Sequence, residues 1–161
     1  MGRGLIATRN LPRGACVLKE NSVLALDRNL SDDDQERLMR YELLKLTPET
    51  QAQILDLHDP EDKKMDRDMG AKVKRIVQKN HLDVEGEIGT TFHLFLNSSM
   101  INHSCNPNSE IVAGSDSEFD PKQCVKVITY IDIKKGEEIT VNYYFSRGRL
   151  KNKTTLVEGS N

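Results

Sequence analysis

One stretch near the middle of this 161-residue chain constrains its fold more than any other. It runs over Asn97–Asn108, and nearly every side chain after Ile101 can form a hydrogen bond or bind a ligand. Asn, Ser and Pro favour local turns over long helices and strands. The apolar run Phe92–Leu96 leads into it, so its amides must find partners inside the protein or cost about 1–3 kcal/mol each. The stretch therefore predicts a buried polar loop that forms part of a site.

The composition is that of one ordinary globular domain. Hydrophobic residues make up 37% of the chain and charged residues 30%, and a chain of this length can bury a core. The formal net charge of -2 gives no basic excess, so nucleic acid is not expected as a direct partner. No apolar run approaches the roughly 20 residues that span a bilayer, and the first residues do not resemble a signal peptide. We therefore expect no membrane partner.

The cysteines do not form a recognisable framework. Cys16, Cys105 and Cys124 are odd in number, widely spaced and without a C-x-x-C pair, which argues against both disulfides and a zinc cluster. A reducing compartment, nuclear and/or cytoplasmic, and no metal are therefore expected. His103 and Cys105 remain open as a weak alternative, in which the chain is a metal-binding regulator.

Short apolar runs separated by turn residues predict strands at both ends of the chain. The predicted strands lie at 5–7, 15–18, 22–26, 110–113, 124–130 and 139–143. His93 alternates with the apolar Phe92 and Leu94, so its side chain is expected to face outward from a strand. The fold class is therefore mixed α+β and mainly β.

Residues 31–80 predict three helices. Ser31 is placed to cap the first helix, Thr47 and Pro48 to begin the second, and the third is expected from about Asp66 to Asn80. The expected apolar positions are Leu38, Tyr41 and Leu44 in the first helix and Met69, Val73, Ile76 and Val77 in the third. The acidic and basic runs of this region are interpreted as solvated helix faces without a chemical role.

Three separate motifs suggest a family when taken in order. They are Gly2-Arg3-Gly4, then Asn102-His103-Ser104-Cys105-Asn106-Pro107-Asn108, then Gly136-Glu137-Glu138-Ile139-Thr140-Val141-Asn142-Tyr143. This set resembles the SET-domain family of protein lysine methyltransferases, and most closely its interrupted members of the fungal or MYND type. The resemblance implies small sheets around a pseudoknot in a domain at 1–145, with a helical insert at about 31–80 and a polar tail at 146–161.

The resemblance also implies a cofactor and a set of site residues. The cofactor would be S-adenosyl-L-methionine, and the catalytic residue would be Tyr143, whose hydroxyl would face the transferred methyl group. The expected cofactor-binding residues are Gly2, Arg3, Gly4, Asn102, His103, Tyr143 and Phe145. The expected substrate-channel residues are Phe95, Val141 and Tyr144.

The function implied is methylation of a lysine in a protein, either a histone tail or a non-histone protein. Many family members have Tyr or Phe where this chain has Val141, so the degree of methylation is left open. Many also carry a cysteine cluster after the closing tyrosine, which this chain lacks, so what closes the channel is open too. The missing cluster supports an alternative, a catalytically inactive SET-shaped scaffold that binds peptide or protein. The sequence does not fix the substrate, the oligomeric state or whether the chain is a fragment.

Overall fold

The computed structural model of the chain describes residues 4–59, 61, 68–86, 89–113, 124–143 and 150–151. Within these residues the order of elements is three strands, three helices and seven further strands. The strands are β1 (Leu5–Ile6), β2 (Cys16–Asn21), β3 (Leu24–Asp27), β4 (Leu82–Gly86), β5 (Gly89–Leu94), β6 (Asn102–His103), β7 (Ser109–Ala113), β8 (Cys124–Thr129), β9 (Glu138–Val141) and β10 (Leu150–Lys151). The predicted mixed α+β class with small sheets and a helical insert is confirmed.

The strands form three small sheets. One has the order β2-β8-β7 and is antiparallel throughout, and a second has the order β10-β4-β5-β3. The third has the order β1-β9-β6, so its middle strand is the last in sequence of the three. Each sheet therefore includes strands from distant parts of the chain, although β4 and β5 follow one another directly.

The helices begin where the sequence places caps. They are α1 (Asp32–Leu44), α2 (Pro48–Leu55) and α3 (Met69–Asn80). Ser31 Oγ accepts from the main-chain N–H of Asp34, and Thr47 Oγ1 accepts from that of Thr50, as predicted. The third helix starts later than predicted because Asp68 is its cap, accepting from two main-chain N–H groups of the first turn. None of the described helices is long and apolar enough to cross a bilayer.

The expected apolar face of α1 is wrong at Tyr41 and Leu44, whereas Leu38 packs against the core as expected. Tyr41 and Leu44 are 61% and 69% exposed, while Met39 and Leu43 are buried. Met39 and Leu43 are four residues apart and lie on one side of the helix, where α1 packs against α3. In α3 the expected face is confirmed except at Met69, which is 45% exposed.

The charged runs of the insert are not simply solvated. The Lys74 Nζ atom lies 2.9 Å from an Asp32 oxygen and 3.2 Å from a Glu36 oxygen, and this lysine is buried between α1 and α3. The Arg75 guanidinium lies 3.0 Å from the Asp59 carboxylate and holds the pKa of Asp59 below its usual range. The expectation of solvated faces is therefore wrong for these positions, where opposite charges join α3 to α1 and to the segment after α2.

Two hydrophobic cores meet at the end of β5. Leu94 belongs to the core beneath the helices, together with Leu26, Met39, Ile54 and Ile76. The next residue, Phe95, belongs to the core between the other sheets. Successive side chains of an extended chain point in opposite directions, so the segment just before the central motif is anchored on both sides.

His93 is buried, which corrects the expectation that it faces outward. It is 7% exposed, and its ring nitrogens lie 2.9 Å from Thr91 Oγ1 and 3.1 Å from Ser22 Oγ. The ring of Phe95, which belongs to the second core, lies 6.4 Å from the His93 ring on the same face of the chain, so that face is covered too. Burial lowers the pKa of His93 from 6.5 to about 4.

This burial predicts a pH-dependent stability. Between pH 6.5 and about 4 the unfolded chain binds a proton at His93 and the folded protein does not, so the free energy of unfolding falls as pH falls. The full effect is about 3 kcal/mol. Urea denaturation across this range should show that much of the loss disappears in His93→Gln, whose side chain does not titrate. An unchanged pH dependence in the variant would contradict the assignment.

Candidate active site

The three sequence motifs meet in a single sheet. Strand β9 pairs antiparallel with β1, with Leu5 opposite Ile139, and parallel with β6, with Asn102 opposite Thr140. Strand β1 follows the first motif, β6 lies in the central motif and β9 lies in the closing motif. The candidate site is therefore assembled by pairing between segments that are far apart in the chain.

The glycine of the closing motif is required by the turn that enters β9. Gly136 has φ of +91°, a left-handed conformation that residues with a side chain rarely adopt. Its main-chain N–H donates to the Ala7 carbonyl oxygen at 2.8 Å, and the Ala7 N–H donates to that of Glu137 at 2.9 Å. These bonds fix the start of β9 against the N-terminal segment.

Side chains of the central motif complete the pairing of β9. Asn108 donates from Nδ2 to the Glu138 carbonyl oxygen at 2.8 Å and accepts at Oδ1 from the Thr140 N–H at 2.9 Å. Ser109 Oγ donates to the Thr140 carbonyl oxygen at 2.8 Å. Asn108 thus makes with its side chain the two bonds that a neighbouring strand would make with its backbone.

A polar pair lies directly against the backbone of Gly4. Asn102 Nδ2 donates to the Glu138 carboxylate at 2.6 Å. A Cβ atom placed on Gly4 would collide with that carboxylate and would lie 2.8 Å from Asn102 Nδ2. The predicted residues Gly4 and Asn102 are therefore brought together, and any side chain at position 4 would displace the pair.

His103 and Tyr143 are also in contact. The Tyr143 main-chain N–H donates to His103 Nδ1 at 3.1 Å, so the neutral ring carries its hydrogen on Nε2. Nε2 lies 3.4 Å from the sulfur of Cys105, and the His103 and Tyr143 ring centroids are 5.2 Å apart. His103 therefore helps to hold the backbone of Tyr143 in place.

The Tyr143 hydroxyl points to the backbone at the start of the central motif. It donates to the Ile101 carbonyl oxygen at 2.7 Å, beside a pocket of about 20 Å³. That volume is enough for about one water molecule. The residues lining the pocket are Asn80, His81, Leu82, Ser98, Ser99, Ile101, Ile111, Val141 and Tyr143. The end of α3, the turn before β6 and the end of β9 each supply part of the wall.

The other predicted site residues have different positions. Val141 is buried and lines the pocket with Tyr143. Phe95 is fully buried in the core and is not among the residues that line this pocket, so its place in a substrate channel stays a prediction. Gly2, Arg3, Tyr144 and Phe145 lie outside the described residues. Among the residues that the structure describes, no group of three or more His, Cys, Asp or Glu side chains could hold a metal ion.

Sequence reasoning missed several residues of this region. Glu138 lies in the closing motif, which assigns it no role, and no motif includes His81. His81 lines the pocket, with Nδ1 at 3.1 Å from the Val77 carbonyl oxygen and Nε2 at 3.3 Å from the Asp83 carboxylate. His81 stands among the polar residues Lys79, Asn80 and Asp83, so the sequence gives no signal that it lines a pocket.

A comparison with known families decides the assignment. The model of the SET domain matches residues 2–144, which is most of the chain. The chain belongs to the SET-domain family. The resemblance drawn from the three motifs is thereby confirmed, and the sheet β1-β9-β6 is the place where the SET-domain motifs of this chain converge.

Two relatives illustrate the similarity. A 50-residue segment is 44% identical to the histone-lysine N-methyltransferase SET5 of Meyerozyma guilliermondii, covering 31% of this chain and 10% of that protein. The chain therefore matches about a tenth of the length of this curated relative. The crystal structure of a candidate histone methyltransferase from Plasmodium falciparum aligns over 87% of this chain and 86% of that one, with 13% identity and a TM-score of 0.45.

The two side-chain bonds from Asn108 to the main chain of β9 predict a specific loss of stability. Asn108→Ala leaves the Glu138 carbonyl and the Thr140 N–H without their side-chain partner, which should lower the free energy of unfolding by about 1–3 kcal/mol. Asn106→Ala is the matched control, because Asn106 bonds to Ser104 through its main-chain N–H. Urea denaturation of both variants checks this, and equal losses would contradict the role given to Asn108.

Proposed function

We propose that this SET-domain protein is an S-adenosyl-L-methionine-dependent protein-lysine N-methyltransferase. Family membership supports the reaction class. The observation that carries the proposal is the bond between the Tyr143 hydroxyl and the Ile101 carbonyl at the pocket wall, directly before Asn102 and His103. Two oxygen atoms are thereby held at the place where the reacting groups would meet.

The residues around Asn102 fit the cofactor. Gly4 is exposed, and its missing side chain lets the Asn102 and Glu138 side chains lie directly against its backbone. Asn102, His103 and the backbone of Gly4 would hold the polar ends of the cofactor, and the Glu138 carboxylate is a suitable acceptor for an ammonium group. S-adenosyl-L-methionine supplies a methyl group on a positively charged sulfonium. Gly2, Arg3 and Phe145 belong to the same proposal through the resemblance alone.

The chain's own task is alignment rather than covalent catalysis. Displacement of a methyl group by an amine needs no protein nucleophile, but it needs the two groups held in line and kept from water. The Tyr143 hydroxyl and the Ile101 carbonyl present oxygen atoms that can orient the amine. Leu82, Ile111 and Val141 are apolar residues of the pocket wall, and a lysine amine brought against them would be disfavoured in its charged ammonium form.

The substrate is proposed as a lysine of a histone tail or of a non-histone protein. The name of the Meyerozyma guilliermondii relative supports a histone, but the matched segment covers only 10% of that protein. The site of action is proposed as the nucleus and/or the cytoplasm. Incubation with labelled cofactor, purified histones and a cell lysate, followed by mass spectrometry of labelled lysines, identifies the substrate.

The first test of the proposal is cofactor binding. S-adenosyl-L-methionine at about 100 times its dissociation constant should stabilise the folded protein by about 2.7 kcal/mol. A thermal shift or calorimetry with the cofactor and its demethylated product measures this directly. Failure of a well-folded sample to bind either ligand would exclude a cofactor-dependent enzyme. Binding without any methyl transfer to the protein panel would instead favour the inactive scaffold.

Tyr143→Phe tests turnover separately from binding. The ring and its packing are kept while the bond to Ile101 is lost, so the variant should fold and bind cofactor nearly normally. We expect methyl transfer to fall by about 10- to 1,000-fold, because the hydroxyl acts chiefly in the transition state. Tyr130→Phe is the control, since the Tyr130 hydroxyl bonds to Glu110 away from the pocket. A fully active Tyr143→Phe in single-turnover assays would overturn the assignment, especially if Tyr144→Phe were crippled.

A further inference from the structure

One carboxylate holds the turn that leads into the candidate site. Glu20 Oε1 accepts from the main-chain N–H of Asn97 at 2.9 Å and from its Nδ2 at 3.2 Å. Glu20 Oε2 accepts from the main-chain N–H of Ser98 at 3.0 Å and from its Oγ at 2.9 Å. Both oxygens are thus used twice, by two residues that lie 77 and 78 positions further along the chain.

The turn held by Glu20 connects directly to the pocket. A short 3₁₀ helix spans Ser98–Met100, and Ser98 and Ser99 line the pocket. The next residue, Ile101, is buried, and its carbonyl accepts from the Tyr143 hydroxyl. A displacement of the turn would therefore reach the Ile101 oxygen and Asn102 within a few residues.

The same turn is also bonded to the end of α3, but by fewer hydrogen bonds. Ser99 Oγ donates to the Asn80 carbonyl oxygen at the end of α3, at 2.8 Å. This is one bond between neutral groups, whereas Glu20 makes four with a carboxylate, and bonds to a charged group are roughly twice as strong. Of the side-chain hydrogen bonds that hold the turn, those of Glu20 are therefore the stronger set.

We propose that Glu20 is a positioning residue for methyl transfer, acting through the turn at Asn97–Met100 on the Ile101 carbonyl, the Tyr143 hydroxyl and Asn102. The inference rests on the proposed function for its kinetic consequence. Glu20 lies on β2, outside all three family motifs, and the SET-domain assignment gives it no role. Its contribution is to hold the Ile101 carbonyl oxygen and the Tyr143 hydroxyl in place relative to β6, which carries Asn102 and His103.

Glu20→Gln is the direct test. Three of the four donors are N–H groups that cannot accept, so in either orientation the Gln amide turns its NH₂ against a main-chain N–H. We expect single-turnover methyl transfer at saturating cofactor and substrate to fall by about 10- to 100-fold. Hydrogen exchange of the Asn97 and Ser98 amides should become faster by about 10-fold. Glu42→Gln is the control, because it makes the same chemical change at a carboxylate of α1 that bonds, among the residues that the structure describes, only to the nearby Lys45. It should leave both the rate of methyl transfer and the amide exchange unchanged.

The outcomes separate this inference from the proposed function. If the wild-type protein neither binds cofactor nor transfers methyl, the proposed function fails, while hydrogen exchange still tests the hold of Glu20 on the turn. A lower melting temperature with an unchanged rate in the folded variant would show a structural role only and overturn the inference. Unchanged amide exchange would overturn it as well.

If Glu20→Gln does not fold, Ser98→Ala removes one of the four bonds and should slow transfer by about 2- to 10-fold. A wild-type rate in that variant would refute the proposal.

Discussion

The architecture depends on strand β9, which shares both of its edges with other parts of the chain. Its partners are β1 on one side and β6 on the other, and Asn108 supplies further bonds to its main chain. Ile139 and Val141 point into the core, while Glu138 is exposed, as the alternation of a strand requires. Because buried main-chain groups must be paired, the position of β9 fixes the N-terminal segment and the central motif together. Tyr143 follows two residues after the end of β9, and its hydroxyl therefore reaches the Ile101 carbonyl oxygen directly.

Local features of the fold could be predicted because their causes are local. The caps at Ser31 and Thr47 and the strand predicted from Cys124 depend on residues a few positions apart, and each is present as expected. The outward orientation predicted for His93 is wrong because the alternation in β5 does not show that both faces of the strand are covered, one by each core. The face of α1 failed for a similar reason. Leu44 is as apolar as Leu43, and Tyr41 has a large apolar ring, so the sequence of α1 does not show which residues face α3.

The candidate site shows the same division. Gly4 and Asn102 were predicted through the family resemblance, and the structure places them in contact with each other and with Glu138. Glu20 could not be predicted, because a glutamate in a half-buried strand usually faces solvent and its partners lie 77 residues away. Motifs reveal residues whose chemistry is unusual for their surroundings. They do not reveal an ordinary carboxylate that gains its role from a distant turn.

The helical insert is part of the pocket wall and not an attachment to it. Asn80 ends α3, its Nδ2 donates to the carbonyl oxygens of His58 and Ile76, and its own carbonyl accepts from Ser99. His81 and Leu82 follow directly and line the pocket. The position of α3 is in turn held by Lys74 between two acidic residues of α1, a buried charge that is costly to displace. Tilting α3 would therefore require breaking either this ion-pair cluster or the Ser99 bond. The insert consequently confers rigidity on the same turn that Glu20 holds from the opposite side.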